Sequence, residues 1–189
     1  MLPWTHREGA ARTMTVAEEY LKQVAAEARR YRALAERAIA QVGDADLHRA
    51  PDPESNSIAV IMQHVGGNLH SRWTEFLASD GEKPDRDRDG EFVDRGMDRA
   101  ALLRLWDDGW QRLLSTLGAL TEPDLGRTVT IRGEPHTVIG AIERAVTHCS
   151  YHCGQIVFLA KSLRGGEWES LSIARGGSRA YNDRVHLGG

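Results

Sequence analysis

Residues 137–163 read TVIGAIERAVTHCSYHCGQIVFLAKSL, and the fold turns on them. Two neighbouring stripes are apolar at helical spacing: Ala141, Ala145, His148, His152, Ile156 and Leu159 on one, Val138, Ile142, Val146, Cys149, Cys153 and Val157 on the other. A helix apolar over that much of its circumference must be enclosed by others. The spacing therefore predicts that the last helix, from about Thr137 to Leu163, is the most buried, with amphipathic helices packed against it.

Three such partners lie upstream. Residues 15–42 carry Val16, Tyr20, Val24, Leu34, Ala38 and Val42 among good helix formers, with Thr15 as a cap and Gly43 as a stop. The run SNSIAVIMQHVGGNLHSRWTEFLASDG, 55–81, opens on an Asn56 or Ser57 cap and predicts a second helix reaching Gly81. Its stripe is Ile58, Met62, Val65, Leu69, Trp73, Phe76 and Leu77, with Gly66 and Gly67 as a weak or closely packed point. A third helix follows from Asp98 to about Leu120. The charge-dense EKPDRDRDGEFVDR, 82–95, reads as a surface loop, and RTVTIRGEPHT, 127–137, as a small hairpin before the last helix. The glycine-bearing tail after residue 164 reads as irregular, pinned back by Trp168, Leu171 and Ile173. The expected fold is all-α, a four-helix bundle with one small hairpin.

A chain of 189 residues is the size of one domain, expected to span 14–189, with residues 1–13 an upstream start or a loose extension before Met14. A formal charge of -3 offers no basic excess for nucleic acid. No apolar run approaches the roughly 20 residues of a membrane span, and the N-terminus lacks a secretory pattern, so a cytoplasmic protein is expected. Cys149 and Cys153 stand one turn apart on one helix, where a disulfide would be strained, and read as small packing groups.

The chemistry lies in THCSYHCGQI, 147–156. His148 and His152 are one turn apart, so both imidazoles project from one face and can share an ion. Both fall on a stripe otherwise made of Ala, Ile and Leu, where an unbonded imidazole costs free energy and a metal satisfies it. The leading third ligand is His64, which begins a polar line with Asn68 and Arg72 along the flank of the second helix. His48 and His136 sit at loop or helix-entry positions, His70 faces away from the apolar stripe, and His6 and His186 lie near the termini. Three neutral imidazoles leave a divalent ion with an open coordination position, the pattern of catalytic sites. No HExxH occurs, so a general base must come from elsewhere, with Glu75, Glu91 and Glu143 as candidates.

One His in the second helix, HxxxH in the fourth and Gly154-Gln155 after it resemble the DinB/YfiT-like superfamily over about residues 15–185. SIAVIMQHVGGN, SDGEKPDRDRDGEF and SLSIARGGSRAYN look closer to a branch of it with no assigned activity. The resemblance implies a bundle with a long crossover, often a homodimer. It also implies one divalent transition metal, Zn or Ni first and Fe or Mn next, on His64, His148 and His152. Relatives of that kind include enzymes transferring low-molecular-weight thiols. Asn68, Arg72, Lys83, Arg86 and Arg88, with Glu91 and Gln155, are then the groups expected near an anionic small molecule or behind the ligands. The alternative for the charged loop is self-pairing with Asp85, Asp87, Asp89 and Glu91. Three functions follow: a metal-dependent thiol S-transferase, a non-catalytic metal-binding or stress-responsive homodimer, or a plain helical dimer with core histidines.

Overall fold

Four long helices and one small hairpin organise the computed structural model, which describes residues 13–187. Helix α1, Val16–Ile39, starts at a capping box in which Thr15 Oγ1 accepts from the Glu18 amide at 3.2 Å and Glu18 accepts from the Thr15 amide at 2.9 Å. A single turn, α2 (Asp44–Leu47), buries Leu47. Helix α3, Ile58–Trp73, is capped by Ser57, and α4, Arg99–Ala119, by Asp98. Strands β1, Thr128–Ile131, and β2, Glu134–Thr137, pair antiparallel with Ile131 opposite Glu134. Helix α5, Val138–Arg164, is capped by Thr137, and α6, Ser178–Leu187, lies in the tail. The result is a mostly helical fold with a two-stranded sheet. Among the described residues, no helix is long and apolar enough to cross a membrane.

The long helices pack α3 on α4, α1 on α5, and more lightly α1 on α4 and α3 on α5. One core runs between them, filled by Trp106, Trp110, Leu113, Ile58, Met62, Ile142 and Ile156, all closed to solvent. The α3–α4 crossing is tight because two glycines meet there. A Cβ on Gly66 would lie 2.9 Å from the Leu105 carbonyl oxygen, and one on Gly109 would lie 2.8 Å from that of Gly66. The Gly66 position is thus one of close packing.

Four expectations need correction. The last helix is not the most buried: α3 is buried over nearly its whole length, whereas α5 leaves Phe158 and Tyr151 exposed. The second helix stops at Trp73 instead of Gly81. Thr74 turns extended, Glu75 takes a φ of 49°, and Phe76 folds back to stack on Trp73 at 4.4 Å between ring centres. Gly81 then donates its amide to the Thr130 carbonyl at 2.8 Å, so pairing with the hairpin replaces helical bonding. The tail contains α6 where irregular chain was expected. Trp168 and Leu171 pack on the core, Leu171 further held through its carbonyl by Arg37, whereas Ile173 is 40% exposed and pins nothing. The N-terminal extension, apart from Thr13, lies outside the described residues.

Candidate metal centre

His64 sits in the middle of α3, and His148 and His152 on the face of α5 turned towards it. Their ring nitrogens converge: His64 Nε2 is 3.0 Å from His148 Nε2, and His152 Nε2 is 3.1 Å from the same atom. All three candidate ligand atoms fall within 4.8 Å of one another. His64 and His152 are buried and His148 half-buried.

The other faces of the rings fix where their protons are. His64 Nδ1 lies 2.9 Å from Glu91 Oε2, a carboxylate that only accepts, so Nδ1 carries a hydrogen, and in the neutral ring Nε2 then presents a lone pair. His152 Nδ1 likewise donates to Gln155 Oε1 at 2.8 Å. Two bare lone pairs therefore face His148 Nε2, which has at most one proton to offer them. Burial pushes the His148 imidazole down to about 3, helped by the nearby His152 and His64, and burial pushes His152 down to about 4. With all three rings neutral, one proton cannot serve both lone pairs, whereas a cation at the meeting point would accept from all three nitrogens. Tetrahedral coordination at about 2.0–2.1 Å per nitrogen implies nitrogens roughly 3.3–3.4 Å apart, a widening of a few tenths of an ångström at the two separations from His148 Nε2. The three residues fit a divalent ion.

The supporting shell comes from a stretch that reads as surface. Residues 82–95 cross over α3, and a 3-10 turn, Asp89–Phe92, drops Glu91 onto His64. Gln63 ties the loop down by donating to the Val93 carbonyl at 2.9 Å and accepting from the Arg95 amide. Arg86 clamps Glu91 with two bonds, Nε to Oε1 at 2.8 Å and Nη2 to Oε2 at 2.7 Å, and gives Nη1 to Glu82. Glu82 also takes Arg72 Nη2 at 3.0 Å. The side chains of Arg86 and Glu91 are 4% and 7% exposed, so the charged loop is in part a buried ion chain. Burial pushes the Glu91 carboxyl up, but hydrogen bonds from His64 and Arg86 outweigh it and hold the group ionised. Gly67 makes this seat available, because a Cβ there would lie 2.5 Å from Glu91 Oε1.

A cavity of about 700 Å3 opens on His64 and His148. Asn68, Arg72 and Arg88 line it as the sequence suggested, and so does Glu143, whose Oε1 accepts from Tyr20 at 2.9 Å. Arg86 does not line it; its donors are taken by Glu82 and Glu91. Lys83 instead donates to the Asp80 carbonyl, and Glu75 is exposed outside the cavity. His70 and His48 are held by Asp108 and Asp94, away from the centre. Sequence reasoning missed Arg132 and Arg144 in the lining. Arg144 stands one turn before His148 on the same helix, a spacing that marks it; Arg132 reads only as a turn residue until the hairpin is folded over.

A crystal structure of a conserved protein from Enterococcus faecalis has the same general fold, with a TM-score of 0.60, 19% identity, and coverage of 81% of this chain and 99% of that one. The search of curated proteins found no significant match. A family model for proteins of unknown function, DUF1572, matches residues 15–177, which take in α1 to α5, the crossover loop and all three histidines, and the chain belongs to that family.

Proposed function

We propose that α1, α3, α4 and α5 form a DinB-like four-helix bundle that holds one divalent transition-metal ion on His64, His148 and His152. In this reading the protein is a metal-dependent enzyme, of the kind that transfers low-molecular-weight thiols. The observation that carries the metal reading is the meeting of three imidazole nitrogens, with His64 and His152 directing their Nδ1 protons outwards, to Glu91 and Gln155. A bound ion supplies Lewis acidity that makes a thiol or water nucleophilic near neutral pH.

The chain's own residues do the rest. Glu91 orients His64 and sharpens its basicity, and Gln155 does the same for His152. The cavity beside His64 and His148 leaves room for a reactant, which favours catalysis over a purely structural ion. Glu143, in the cavity wall, is the carboxylate best placed to take a proton from a reactant. Imidazole ligands suit Zn, Ni, Fe and Cu alike; the DinB-like resemblance puts Zn or Ni first, with Fe or Mn as the alternatives.

The test is metal per chain, by plasma mass spectrometry on tag-free protein, beside His152→Ala. About one ion per chain, lost in the variant, is the expected result. Wild-type protein that takes up none of Zn, Ni, Mn or Fe after addition would remove the metalloenzyme reading.

A further inference from the structure

The cavity beside the histidines is unusually cationic for a pocket with an apolar floor. Trp73, Phe76, Ile131 and Tyr151 supply apolar surface, while Arg72, Arg88, Arg132 and Arg144 line it against a single carboxylate, Glu143. That carboxylate is already engaged by Tyr20. The arginines are not equally occupied. Arg88 lies over the Phe92 ring and reaches Asp89 only at 3.8 Å, and Arg132 meets Glu82 at 3.4 Å. Among the described residues, Arg144 has no ion-pair or hydrogen-bond partner. Arg72 is 9% exposed; its Nη2 serves Glu82, but its Nη1 is buried with no acceptor. A buried guanidinium nitrogen without a partner is costly, and three further guanidinium groups around one cavity repel one another. An anion entering the cavity relieves both.

We propose that this cavity is a recognition site for a small organic acid with an apolar body, its carboxylate held by Arg72, Arg132 and Arg144 and its other end facing His64 and His148. The apolar body lies on Trp73, Phe76 and Tyr151. The size suits a ligand of drug-like dimensions, because such cavities span roughly 300–1,000 Å3. The orientation rests on the metal reading above, while the anion site rests on the arginines alone. The two can therefore fail separately.

The experiment is calorimetric titration of 3-phenylpropionate and of its neutral amide, 3-phenylpropanamide. It is run on the wild-type chain, on Arg144→Gln, and on His152→Ala, whose metal content is measured in parallel. Arg144 is exposed, so its replacement leaves the core intact, and an unchanged melting temperature checks this. The acid is expected to bind wild type at least about tenfold more tightly than the amide, and Arg144→Gln to weaken the acid by about tenfold, the scale of one charge-assisted hydrogen bond. Those results in a chain without metal would uphold the anion site while sinking the metal reading. Equal binding of acid and amide, no binding of either, or no effect of Arg144→Gln on the acid would overturn the proposal whatever the metal content.

Discussion

Glu91→Gln keeps the volume of the side chain and removes its charge, and two separate consequences can be worked out. Arg86 loses a bidentate partner while its side chain stays 4% exposed. The amide of the new glutamine must also direct an N–H at Arg86 or at His64 Nδ1, donor against donor. Removing one partner of a buried pair costs about 3–5 kcal/mol. Glu82 continues to hold Arg86 Nη1, so the low end, about 3 kcal/mol, is expected. Separately, loss of the carboxylate behind a metal-binding histidine lowers metal affinity by about 10- to 100-fold. Urea unfolding of the metal-free protein reads the first quantity, and competition with a chromogenic chelator reads the second. A variant that loses less than about 1 kcal/mol, below the range for a broken buried pair, would show that the ion chain is not buried in solution. Unchanged metal affinity would show that Glu91 does not orient a ligand.

Gly67→Ala puts a methyl 2.5 Å from Glu91 Oε1 and should displace the crossover loop, costing about 1–3 kcal/mol and lowering metal affinity in the same direction as Glu91→Gln. Gly66→Ala meets the Leu105 backbone instead, so thermal denaturation should show a loss of stability while metal affinity of the folded fraction stays unchanged. The metal-free protein should lose stability in mild acid. His148 and His152 have folded values of about 3 and about 4, so as pH falls below the ordinary value of about 6.5 the unfolded chain binds protons that the folded one refuses. Stability is thus full above pH about 6.5 and declines from there towards pH 4, which denaturant midpoints at several pH values will show. Burial pushes both thiols up, Cys153 to about 12, so neither should react with a thiol reagent in native buffer, and both should react in denaturant.

Helical periodicity made most of the scaffold legible, because each long helix buries a continuous stripe and opens on a side-chain cap. Thr15 caps where the sequence suggests, Ser57 is one of the two caps it offers, and Asp98 and Thr137, expected only as helix starts, are the caps of α4 and α5. The early end of α3 was not legible. Phe76 and Leu77 continue the stripe, and only the hairpin, distant in sequence, supplies the partner that Gly81 prefers to helical bonding. The histidine cluster could be read because two ligands share one helix face and the third lies mid-helix on an apolar neighbour. The loop could not. Asp85, Arg86, Asp87, Arg88 and Asp89 alternate in sign like a solvated segment, and local pattern carries no information that Arg86 and Glu91 turn inwards.

That failure has a physical origin in the site itself. In the metal reading proposed above, the three imidazoles bind a cation as neutral groups, and the charge that orients His64 stands one layer further out. A carboxylate in direct reach of the centre would compete as a ligand, whereas Glu91 is held on the Nδ1 side of His64 by two bonds from Arg86. The same chain of alternating charge then continues through Glu82 to Arg72, at the wall of the cavity. The residues that set the His64 tautomer and the residue that leaves an unpaired guanidinium nitrogen beside the cavity are thus joined by consecutive ion pairs. A single polar segment laid across α3 reaches both, and its charge density reflects the ion pairs Glu91–Arg86, Arg86–Glu82 and Glu82–Arg72 that join them.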